Sequence, residues 1–142
     1  MITNIFNFFT IWNIILLLFY EYSNKYFDLL LLSLNVFLIG SYFSFIEPTY
    51  YKILLYKNSS IIISGWTRFI VADVIFHSLP LLYIIYRNKT IESKFYKTIN
   101  SLLLLLFYLL INSIKEVYMV ENKIIIFLSI IINLIYLMMI KI

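Results

Sequence analysis

Asp73 and His77 stand four positions apart in an otherwise apolar stretch, with Arg68 before them and Pro80 after. On an α-helix such a pair meets on one face, so the carboxylate would orient the imidazole. Three chemistries are open to it. As acid and base, the pair would hold His77 in one tautomer for proton transfer, and a hydroxyl such as Ser78 would complete a catalytic site acting on a lipid. As a proton or cation path, a buried Asp and His would exchange protons. As a metal site, one His with scattered carboxylates falls short of the three or four ligands zinc takes, so neither a metal nor another cofactor is expected. A fourth reading is structural: Asp73 and His77 bind each other, Arg68 or a neighbouring Asn, and set helix register. Pro80 adds a buried acceptor to any of these, because it has no N–H to offer the carbonyl of Phe76.

Other polar side chains recur at helical spacing. Ser33, Phe37, Gly40, Ser44 and Glu47 alternate intervals of four and three and define one stripe, with Gly40 and Ser44 in small-xxx-small spacing. Ser129, Asn133 and Tyr136 repeat the pattern, and Asn112 falls one turn before Glu116. In an apolar surrounding such groups are expected in the polar interior, as helix-packing surfaces and interhelical hydrogen bonds.

The elements that would carry these residues follow from composition. Apolar residues make up 63% of the chain and charged ones 13%, and Ile and Leu alone fill 52 of 142 positions. Mean hydropathy is +0.97. A soluble domain has about a quarter of its residues charged, so the expected solvent is the bilayer, and the chain is expected to be an integral membrane protein. Apolar stretches at 3–22, 29–46, 61–86, 99–118 and 124–140 are each near the ~20 residues that cross a hydrocarbon core. They lack the alternation of a barrel strand. The expected fold is therefore all-α, a multi-pass transmembrane bundle of about five spanning helices in a single domain. Residues 47–60, which mix Tyr, Lys and aliphatic residues after Glu47-Pro48, suit a short interfacial helix between the second and third spans. The connections 21–28, 87–98 and 119–123 are short, which makes consecutive helices antiparallel neighbours.

The composition also excludes whole classes of function. There is no cysteine, and one histidine and two glycines leave no thiolate site, disulfide or glycine-rich phosphate loop. The net charge of +4 is spread between apolar segments, so no nucleic-acid surface is expected. Enrichment in Ile, Phe, Tyr, Asn and Lys follows the codons of an A/T-rich genome, so the 20% aromatic content is read first as mutational bias. The sequons Asn58-Ser59-Ser60 and Asn88-Lys89-Thr90 fall on opposite sides of a five-span chain and are credited with no glycosylation. The expected function is that of a small membrane protein acting through its location, with lipids around it and a second copy or another membrane protein as partner. A lipid enzyme or a proton-coupled carrier built on Asp73 and His77 is the alternative. Enzyme activity is the less favoured reading, since no second catalytic cluster accompanies the pair.

Overall fold

Behind Asp28 comes Leu29-Leu30-Leu31-Leu32, and apolar residues then continue on every side of the helix they begin. A helix that is apolar all round has no solvent face and is enclosed by its neighbours. This is what the computed structural model of the chain, which describes residues 9–45, 69–88, 94–112 and 122–139, places at the centre. Most of the described residues are helical and none forms a strand: α1 (Phe9–Leu18), α2 (Tyr20–Tyr26), α3 (Leu29–Phe45), a π-helix (Phe69–Ser78) running directly into α4 (Leu79–Arg87), α5 (Phe95–Ile111) and α6 (Asn122–Met139). The central helix, α3, packs against α1, the π-helix, α4, α5 and α6. Leu31 and Leu32 have no exposed surface, and Leu17, Leu81, Ile84, Leu105 and Tyr108 close over them.

The helices depart from the sequence expectations in four places. The span expected at 3–22 breaks at Phe19, whose φ of −101° and ψ of 38° leave the helical region. Glu21 to Tyr26, expected as a connection, are helical instead, because side chains of α4 and α5 satisfy the polar groups of α2. The span expected at 99–118 starts earlier, at Phe95, and ends at Ile111, where Asn112 turns extended (φ −106°, ψ 129°). There Asn112 Nδ2 donates to the Tyr108 carbonyl (3.2 Å), the competition with helix continuation that Asn side chains offer. Asn112 therefore lies just past the end of α5, and Glu116 lies outside the described residues. Finally, Asp73 and His77 lie in a π-helix, with i→i+5 pairing, rather than in the α-helix expected. The return to α winding falls at Pro80, in the first turn of α4, where its missing N–H interrupts the ladder. The interfacial helix expected at 47–60 and the ends of several expected spans lie outside the described residues.

Among the described residues no single helix is long and apolar enough to cross a membrane. Only α2 and residues 29–42 together reach that length and composition, and that pair is bent by 98°.

Candidate functional site

Three polar constellations occupy the interior, each built on α3. The first is at its start. Asp28 is the N-cap: its carbonyl accepts the first helical bond, from Leu32 N–H (3.2 Å), and its Oδ1 accepts Leu31 N–H (3.2 Å). Its Oδ2 accepts the hydroxyls of Thr98 (3.2 Å) and Tyr136 (2.7 Å). Ser101 Oγ receives Asp28 N–H (2.8 Å) and donates back to the Asp28 carbonyl (3.4 Å). One buried carboxylate thus joins α3, α5 and α6. Donors fill its acceptor sites, which is what a buried carboxylate needs to be tolerated.

The second constellation lies two turns on. Asn35 Nδ2 donates to Asn133 Oδ1 (3.0 Å), Asn133 Nδ2 to Ser129 Oγ (3.2 Å), and Ser129 Oγ to Asn35 Oδ1 (3.1 Å). The three bonds close a ring in which every member donates once and accepts once, an arrangement that polarises each bond in the same sense. Asn35 Nδ2 also reaches the Leu31 carbonyl (2.9 Å). The third joins α1: Asn13 Nδ2 donates to Ser33 Oγ (3.2 Å), which donates back to Asn13 Oδ1 (3.4 Å), and both residues are wholly buried. Close by, the backbone N–H of Phe9 donates to the Tyr108 hydroxyl (3.1 Å).

His77 is buried on the π-helix, and its ring occupies the space beside Gly40 where a Cβ would stand. A Cβ at Gly40 would meet Nδ1 first and would come within 2.6 Å of Cε1 and 2.7 Å of Cγ, inside the closest approach of real Cβ atoms. Only glycine lets the two helices approach this far.

Of the residues singled out by the sequence, the structure places Ser33, Gly40, His77, Ser129 and Asn133 inside the bundle and Asn112 at the end of α5. Gly40 and His77 come together, as do Ser129 and Asn133. Glu47, Arg68 and Glu116 lie outside the described residues, as do the side chains of Ser44 and Asp73, whose backbones belong to α3 and the π-helix. Sequence reasoning missed Asp28, Asn35, Asn13, Thr98 and Ser101. Asp28 carried a usable signal, since Asp immediately before an apolar run is a helix-start signature. Among the described residues no three of His, Asp and Glu gather as metal ligands. Neither a family model, nor a curated protein, nor a solved structure matches this chain.

Proposed function

We propose that the chain is a small multi-pass integral membrane protein that acts through its place in the bilayer and through helix association, with lipids and a second copy or another membrane protein as partners. One observation carries this reading: polarity is distributed in the inverse of a soluble domain. Asn13, Ser33, Asn35 and Ser101 are at most 1% exposed, while Leu103, Leu110, Phe127, Leu134 and Met138 are exposed by more than half. In lipid, polar groups turn to one another inside and apolar ones face out. Although no single described helix reaches the length and hydropathy of a span, α5 and α6, with 17 and 18 residues, come nearest at about 26 and 27 Å against a core of about 30 Å. In this proposal α1, α3, the π-helix with α4, α5 and α6 are the five spans. Alkaline carbonate treatment of membranes expressing the chain tests it: the protein should stay with the bilayer pellet, and release into the supernatant overturns the proposal.

A second reading, a lipid enzyme or proton-coupled carrier using Asp73 and His77, rests on the π winding around a buried His77, since π segments in proteins frequently occur at functional sites. In that case Asp73→Asn and His77→Gln should fold normally yet reproduce the phenotype of deleting the protein. Full function in a stable variant with both residues made apolar overturns it.

A further inference from the structure

The seven residues of α2, Tyr-Glu-Tyr-Ser-Asn-Lys-Tyr, are too few to hold a helix unaided. Support comes from two neighbours. On the α4 side Glu21 pairs with Arg87, the Arg87 guanidinium stands 4.5 Å over the Tyr20 ring, and the Tyr20 hydroxyl donates to Asn88 Oδ1 (2.8 Å). On the α5 side the Tyr96 hydroxyl and Asn100 Nδ2 donate to the carbonyls of Lys25 (3.1 Å) and Tyr26 (2.9 Å), last-turn acceptors that no helical partner reaches. These contacts fix α2 as a shelf across the end of the bundle, at 98° to α3. With α3 along the bilayer normal, α2 lies in the membrane plane, the attitude of an interfacial helix.

The outward face of the shelf carries tyrosines and lysines, together with Phe95 and the exposed Glu21 that pairs with Arg87. Tyr22, Tyr26, Tyr86 and Tyr96 are exposed, Tyr86 at 83%. Lys25 and Lys94 are exposed and Lys97 is half-buried, and none of the three has a side-chain partner among the described residues. The nearby carboxylates are engaged: Glu21 holds Arg87, and Asp28 is buried beneath. In sequence, Lys89 and Glu92 lie between Arg87 and Lys94, outside the described residues. Amphipathic tyrosines beside these lysines match the headgroup layer of an anionic bilayer, where rings settle at the interface and ammonium groups reach phosphate.

We propose that α2 and the first turn of α5 form an interfacial shelf that binds anionic phospholipid headgroups through Lys25, Lys94 and Lys97. This rests on the membrane reading above, and the test separates the two. Carbonate extraction is run first on the wild type and on the triple variant Lys25→Gln, Lys94→Gln, Lys97→Gln. Both should remain in the pellet, and release of the wild type overturns the membrane reading and the shelf with it. The detergent-purified full chain is then titrated with phosphatidylglycerol or with phosphatidylcholine of the same acyl chains and followed by native mass spectrometry. A lysine at an anionic surface contributes about fivefold, so a preference of tenfold or more for phosphatidylglycerol is expected in the wild type and none in the triple variant. Single variants should lose it in steps, with melting curves unchanged because these side chains hold no partner among the described residues. Equal binding of the two lipids by a carbonate-resistant wild type, or a preference retained by the triple variant, overturns the shelf alone. Displacement of phosphatidylglycerol by millimolar inorganic phosphate would make it a site for free phosphate and overturn the lipid assignment.

Discussion

Tyr136 donates a 2.7 Å hydrogen bond to Asp28 Oδ2 across 108 residues of sequence, fastening α6 to the first turn of α3. The same oxygen accepts from Thr98, so the α3 cap also fastens α5. Capping and interhelical bonding therefore depend on one side chain. Asp28→Ala should destabilise the purified protein by about 2–4 kcal/mol, combining a lost N-cap with buried hydroxyls left unpaired. Tyr136→Phe should lose about 1–3 kcal/mol, as expected for one bond to a carboxylate. Thermal melts read both, and an Asp28→Ala curve that overlays the wild type would remove Asp28 from the centre of the fold.

The contact of Gly40 with His77 predicts a dependence between the two positions. Gly40→Ala should destabilise by about 1–3 kcal/mol, the usual range for overpacking. In the His77→Ala background the same change should be nearly neutral, because the ring that obstructs a Cβ is gone. A double-mutant cycle measures this coupling directly, and additive effects would show that the two do not touch.

The Asn35, Asn133, Ser129 ring predicts a recovery. Asn35→Leu alone strands one acceptor and one donor and should lower stability by about 1–2 kcal/mol. Adding Ser129→Ala and Asn133→Leu leaves nothing unpaired, and stability should return most of the way to wild type. A triple variant less stable than Asn35→Leu would mean that the ring contributes more than the satisfaction of its own members.

The bond from the Tyr96 hydroxyl to the Lys25 carbonyl places the 19–28 corner and the start of α5 at one end of the bundle. In the membrane reading, accessibility tags inserted after Lys25 and after Lys94 should report the same side of the bilayer and a tag after Lys57 the other. Opposite results for 25 and 94 would break the five-span arrangement.

How much of this was legible in the sequence depends on which physical signal each feature leaves. The all-helical character was plain, because continuous apolar stretches without alternation have few other solutions. Gly40 was legible as a close-packing residue from its spacing, but its partner was not, since nothing local tells His77 which neighbour it will face. Asn35 was overlooked because it falls off the Ser33, Gly40 stripe, and a helix enclosed on all sides makes polar contacts on more than one face. The break at Phe19 carries no Gly or Pro, and the π winding before Pro80 has the same hydropathy as an α-helix. Asp28 shows the opposite failure: its helix-start signal was present, but a connection was assumed there.

The long sequence interval between Asp28 and Tyr136 has a consequence in time. Chains are synthesised at about 5–20 residues per second, so Asp28 precedes its α6 partner by roughly 5–20 s. Throughout that interval the nascent protein holds a carboxylate whose α6 hydroxyl does not yet exist, and Thr98 arrives only after most of the wait. The buried end of α3 is therefore completed last, and a ribosome that stops short of Tyr136 releases a bundle with its central junction still open.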